Sequence, residues 1–132
     1  MSPDLDIDLL DSDGNTWPYP DSTLDIVYSK SFIEHLDKPE MYMKEAFRVL
    51  KPGGMIINLT PDWDANYIKF FDDYTHKSPF TIISLTNIAK YAGFNNVHAF
   101  TFMQLPISWK YPFLRPLLAL IGVFVPVRST HN

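Results

Sequence analysis

Two histidines stand next to carboxylates in this chain, and their types suit proton transfer. His35 directly follows Glu34 in the stretch Ile33-Glu34-His35-Leu36, and His76 closes Asp72-Asp73-Tyr74-Thr75-His76. An imidazole titrates close to neutrality, so either ring could take a proton from a reacting group. The plainer alternative is structural: His35 holds its loop by hydrogen bonds, and the loop of Asp73 and His76 simply packs. A His-Asp-Asp set also has the residue types for a metal, but no ligand spacing here is tight enough to assign one. Three further polar groups deserve placement. Ser29 and Lys30 end one apolar run, Thr60 and Asp62 end another, and Asp11 and Asp13 fall in the turn cluster Asp11-Ser12-Asp13-Gly14-Asn15. Turn aspartates commonly accept hydrogen bonds from nearby backbone N–H groups, and that reading stays open for both.

The elements that must carry these residues are legible from periodicity. Leu5 to Leu10 alternates apolar and acidic residues as a half-buried strand, and Leu24 to Ser29 reads as the next strand. A helix is expected over 38–51. Asp37 is placed as its N-cap, Glu40 completes a capping box, and Pro39 falls in the first turn, where its missing N–H is harmless. Tyr42, Met43, Ala46, Phe47, Val49 and Leu50 form its inner face, while Glu40, Lys44 and Arg48 follow at four-residue steps outside. Pro52 stops this helix, Gly53-Gly54 turn the chain, and 55–60 runs as an apolar strand of a parallel sheet. Thr81 caps a helix over 81–92 that Gly93 ends, and Asn96 to Leu105 is a last strand with His98 on its pleated surface. In open α/β sheets ligands sit at strand carboxyl ends, which points to Ser29, Lys30, Thr60 and Asp62.

Composition narrows the class. The chain has 132 residues, 46% hydrophobic residues and a net charge of −4, an ordinary globular balance for one domain. No basic excess suggests a nucleic-acid partner. Cysteine is absent, which excludes disulfides and thiolate zinc sites and suits a reducing, cytoplasmic setting. Residues 106–132 form an apolar extension or insertion. The run from Pro106 to Val127 is too short between Arg115 and Arg128, and too broken by Pro126, for a transmembrane helix. An amphipathic helix over a pocket, a membrane surface or a partner is the expectation there.

Read together, Pro18-Tyr19-Pro20-Asp21-Ser22-Thr23-Leu24-Asp25, then Glu34-His35, then Arg48-Val49-Leu50-Lys51-Pro52-Gly53-Gly54 form an ordered set. The set resembles the second half of a class I S-adenosylmethionine-dependent methyltransferase of the small-molecule type. The resemblance implies a truncated Rossmann-like sheet, mostly parallel with an antiparallel C-terminal strand and helices on both faces. It also implies transfer of a methyl group from S-adenosylmethionine to a small-molecule acceptor. By the same resemblance Asp11, or Asp13, accepts a hydrogen bond from the adenine amino group, and Ser29 and Lys30 border the ribose and the sulfonium. Asp73 to Lys77 resembles a D-x-T-H-K phrase that faces the acceptor, which makes Asp62, Trp63, Asp73 and His76 substrate candidates and His35 and His76 catalytic candidates. The region of Gln104-Leu105-Pro106, Trp109 and Pro112 to Arg115 resembles an insertion that family members keep near their last strands.

The same family carries a glycine-rich loop after its first strand, and this chain has five glycines with no G-x-G among them. The expectation is a partial domain, cut before the first strand and, in one alternative, at the final one too, that holds half of the cofactor site. A second reading is therefore a non-catalytic scaffold that works by association. In either case strand 24–29 would lack its usual neighbours. Strand 5–10 moving in, or a second copy of the chain in a homodimer, would cover that edge.

Overall fold

A computed structural model describes residues 12–101 and the backbone of the strand 124–130. Strand β1 spans Leu24–Lys30, helix α1 Pro39–Val49, and strand β2 Leu50–Pro61. The expected strand over 5–10, and most of the run 106–127, lie outside the described residues.

Helix α1 starts differently from the expectation. Lys38 is its N-cap and makes no side-chain cap bond, while Pro39 takes the first helical position. Asp37 is diverted: its carboxylate pairs with Lys77 Nζ at 2.6 Å. The N–H groups of Asp37 and Lys38 donate instead to Asp13, at 3.0 and 2.9 Å, so a carboxylate from 24 and 25 residues away serves the helix start. The outer ladder also differs. Arg48 pairs with Asp21 and Glu45 at 2.6 and 2.8 Å, and Lys44 lies over the Tyr91 ring, 4.8 Å from its centroid. Arg48 also donates to the carbonyls of Trp17 and Tyr19, which binds the entry loop to the helix.

The Pro52-Gly53-Gly54 segment belongs to β2 rather than to a turn before it. The ladder pairs Leu24 with Leu50 and Ile26 with Met55, so residues 51–54 bulge opposite Asp25. Gly53 takes a φ of 81°, which glycine adopts without strain. At Gly54 a Cβ would stand 2.9 Å from the Lys51 carbonyl oxygen and 3.1 Å from that of Asp25, so the close approach of the two strands requires glycine.

Beyond β2 come a short helix α2, Trp63–Asn66, helix α3, Ile82–Ala92, and strand β3, Asn95–Ala99. Thr81 and Ser84 form a reciprocal capping box for α3, and Gly93 ends it at φ 113°. Strand β4, Phe124–Thr130, then enters between β2 and β3, giving the order β1-β2-β4-β3. β1 and β2 are parallel, and β4 is antiparallel to both β2 and β3. This strand falls within 106–132, the run read from the sequence as an apolar extension or insertion. Pro126 stands opposite Leu59 in the middle of the ladder, a position that the rule against proline in central strands argues against.

The core lies between the sheet and one helical layer. Val27 and Ile56 from the sheet meet Tyr42, Met43, Ala46 and Val49 of α1 and Leu85 and Ala89 of α3 in a single buried cluster. Each large apolar side chain fully buried there contributes about 1.5–3 kcal/mol. Among the described residues both long helices occupy this face. On the opposite face of β1, Ile26 and Tyr28 are 56% and 60% exposed. No described helix is long and apolar enough to cross a membrane.

Candidate functional site

The buried face of β2 alternates Ile56, Asn58 and Thr60, so two polar side chains enter the core. Each is satisfied by a partner from a different segment. Asn58 Oδ1 accepts from Ser29 Oγ at 2.5 Å and from Tyr42 Oη at 2.9 Å. Burial pushes the Tyr42 phenol up to about 12, which keeps it a donor at any ordinary pH. Thr60 Oγ1 donates to Glu34 Oε2 at 2.9 Å. Glu34 is wholly buried, and its other oxygen, Oε1, has no hydrogen-bond partner among the described residues.

Around these two anchors the structure forms two sites. The first is a cavity of about 430 Å³ at the carboxyl end of β1, lined by Ser12, Trp17, Tyr28, Ser29, Lys30 and Tyr42, among others. Ser29 and Lys30 therefore fall together at one cavity. The buried indole N–H of Trp17, which also lines it, finds no partner among the described residues. Asp13 does not open into this set of lining residues. The backbone N–H of Asp37 is the main cause that holds its carboxyl below the usual carboxylate range. Asp11 lies outside the described residues.

The second site gathers the histidines. His35 and His76 are brought from opposite sides of α1 and β2 until their ring centroids stand 4.7 Å apart. The loop is tied down because the Glu34 carbonyl accepts from both Lys77 N, at 2.8 Å, and Ser78 N, at 2.9 Å. His35 Nδ1 contacts the Thr75 carbonyl at 3.2 Å and Thr75 Oγ1 at 2.9 Å. His76 Nδ1 contacts the Phe70 carbonyl at 2.6 Å. Both rings thus satisfy backbone carbonyls through Nδ1, a tautomer that leaves Nε2 as the basic nitrogen. Asp73 accepts from Thr75 N at 2.9 Å and Thr75 Oγ1 at 2.5 Å; the hydroxyl bond is the largest cause that lowers its pKa. His76 also lines a smaller cavity of about 150 Å³ with Pro61, Asn66, Lys69 and Phe70.

Asp62 and Trp63 sit beside this second site in structural positions. Asp62 is buried, caps α2 by accepting from Asp64 N at 3.2 Å, and has its pKa raised by desolvation. Trp63 stacks edge-on against Phe70 and Phe71 at 5.4 and 5.9 Å. Sequence reasoning missed Asn58, Tyr42 and Thr75. The signal was present for Asn58: a polar residue at the inward phase of an apolar strand needs a buried partner.

Comparison with known proteins follows the same outline. A family model described as a methyltransferase domain matches residues 2–58. The chain is 33% identical over 70 residues, 53% of its length and 20% of the relative's, to an uncharacterized 37.1 kDa protein in a transposon of Streptomyces fradiae. It is 42% identical over 45 residues, 34% of its length and 18% of the relative's, to a probable S-adenosylmethionine-dependent methyltransferase of Mycolicibacterium smegmatis. The crystal structure of an S-adenosylmethionine-dependent methyltransferase from Mesorhizobium loti superposes with a TM-score of 0.71 at 16% identity, over 92% of this chain and 67% of that one. The chain thus spans about a fifth of the curated relatives it matches.

Proposed function

We propose that the chain is part of a class I methyltransferase and that it serves transfer of a methyl group from S-adenosylmethionine to a small-molecule acceptor. Cofactor sulfonium supplies the methyl group for an in-line displacement, and the protein contributes mainly positioning. The observation that carries this reading is the cavity at the carboxyl end of β1, where Ser29 and Lys30 meet the aromatic wall of Trp17 and Tyr42. Such a lining suits a nucleoside: an aromatic surface for the base, and a hydroxyl and an ammonium for its polar edge. Ser29, Lys30 and Asp11 hold the cofactor in this reading, because both oxygens of Asp13 are engaged by the N–H groups of Asp37 and Lys38. The acceptor approaches from the histidine side, contacting Asp62, Trp63, Asp73 and His76, where Nε2 of His35 or His76 takes its proton. The chain's lack of cysteine suits a cytoplasmic setting.

The second reading, a scaffold that associates without catalysis, is favoured by one observation, the lack of any G-x-G in these 132 residues. We place a homodimer with either reading. Among the described residues β1 has a strand partner on one side only, and its outer face shows Ile26 and Tyr28. A second copy would remove that surface from water. Calorimetric titration of the protein with S-adenosylhomocysteine separates the two. Micromolar affinity that Ser29→Ala and Lys30→Ala weaken supports methyl transfer; no heat at millimolar ligand supports the scaffold.

A further inference from the structure

The group around Glu34 has a feature that hydrogen bonding inside the protein leaves unexplained. Glu34 is fully buried, yet Oε1 has no partner among the described residues. A buried carboxylate oxygen without a partner is costly, and the usual resolutions are a water, a proton or a cation. Two imidazoles stand beside this carboxylate, and Asp73 Oδ2 lies 3.8 Å from Nε2 of the second, His76. One ligand atom from each of Glu34, His35 and His76 lies within 4.8 Å of the others, and His35 Nε2 is 3.9 Å from Glu34 Oε1.

We propose that Glu34, His35 and His76 form a binding site for a divalent transition-metal ion of the zinc class. Two imidazoles and one carboxylate match the donor set of open zinc sites that keep a fourth position for water or substrate. The outer shell is already in place. His35 Nδ1 is engaged by the carbonyl and hydroxyl of Thr75, and His76 Nδ1 by the carbonyl of Phe70. Those contacts fix the tautomer in which each Nε2 offers a lone pair, the role such backbone partners play at histidine metal sites. Asp73 extends the chain by accepting from Thr75 Oγ1 at 2.5 Å. Glu34 Oε2 is held by Thr60, which leaves Oε1 as the ligating oxygen.

Distances set the remaining requirement. Tetrahedral ligands at about 2.1 Å from a metal stand about 3.4 Å from one another, so the three side chains must draw in by about an ångström. The histidine side chains are 30% and 14% exposed, which leaves an entry path for the ion. His76 alone of the three also borders the cavity of about 150 Å³. With a cation bound, the imidazoles serve as ligands, and lowering the pKa of a bound hydroxyl or water replaces proton uptake by a free Nε2.

The test needs no methyl donor, so its failure leaves the methyl-transfer reading standing. Untagged protein is stripped with a chelator, desalted and titrated calorimetrically with zinc chloride. The expected result is one equivalent bound with micromolar affinity or tighter. His35→Gln and His76→Gln each weaken it at least tenfold, and His98→Gln on exposed β3 leaves it unchanged. Thr75→Val keeps all three ligands and weakens binding about tenfold through lost orientation. If a glutamine variant loses its fold by circular dichroism, the unaltered protein decides through cobalt(II), whose four-coordinate form absorbs far more strongly than the hydrated ion. Millimolar affinity, several weak equivalents, affinity unmoved by either histidine variant, or a hydrated-ion cobalt spectrum each overturns the proposal.

Discussion

Removing Tyr42 Oη and the Asn58 side chain, singly and together, measures how the sheet and α1 are joined. Tyr42→Phe deletes a donor whose acceptor, Asn58 Oδ1, keeps its second bond from Ser29 Oγ. Nothing buried is left unpaired, so the expected loss is that of one net hydrogen bond, about 1 kcal/mol. Asn58→Ala is different. It leaves the Tyr42 hydroxyl, in a residue only 3% exposed, with the half-buried Ser29 hydroxyl as its remaining neighbour. Two net bonds, a weakened phenol pairing and a small void together come to about 3 kcal/mol. In the double variant that hydroxyl no longer exists, so its cost should fall short of the sum by about 1 kcal/mol. Urea unfolding followed by circular dichroism, extrapolated linearly, gives each free energy. For a chain of this size 1 kcal/mol also moves the thermal midpoint by about 4 °C, which serves as a second measure. Additivity within about 0.5 kcal/mol would refute the argument, because it would mean the phenol and the amide do not depend on each other.

Two other substitutions test the joints of the fold. Gly54→Ala pushes a Cβ against two carbonyl oxygens and should destabilise by about 2–3 kcal/mol, whereas Gly53→Ala meets open space and pays only for its positive φ, about 1 kcal/mol; thermal melts in the reverse order would contradict the bulge. Asp13→Ala should lower stability by about 1 kcal/mol near neutrality, through loss of the two N–H bonds at the start of α1. The folded pKa of Asp13 lies below its ordinary value of 3.8, so its stabilisation is complete above that value and fades as pH falls through the folded one. Melting temperatures of parent and variant should therefore converge as pH falls well below 3.8, and a gap that stays constant would refute the assignment.

How much of this was legible beforehand divides along local and non-local lines. Thr81, Ser84 and Gly93 act within one turn of α3, and the capped helix stands where periodicity puts it. The inner face of α1 holds for the same reason: Tyr42, Met43, Ala46 and Val49 are spaced by the helix itself. Its cap was misread because Asp37 has two competing partners, and Lys77, 40 residues on, takes the carboxylate. The pairing of His35 with Thr75 and His76 is equally distant in sequence, so residue types suggested chemistry there without showing that the rings meet. Strand β4 was hidden by Pro126, whose missing N–H is tolerated inside a ladder that local rules treat as closed to it.

The placement of β4 has a consequence for the order of events during synthesis. β2 and β3 are made first, yet they do not pair with each other; residues 124–130 come between them. Until that segment emerges from the ribosome, β2 presents the backbone edge of Met55 to Pro61 with nothing to bind it. The nascent chain therefore carries an incomplete sheet through the making of the whole intervening stretch, including the apolar residues Leu117 to Val123. Closing the gap requires contacts of long sequence separation, which form slowly and leave a sticky edge exposed meanwhile. The sheet thus depends on a late arrival, and the β2 edge stays open in the interval before β4 exists.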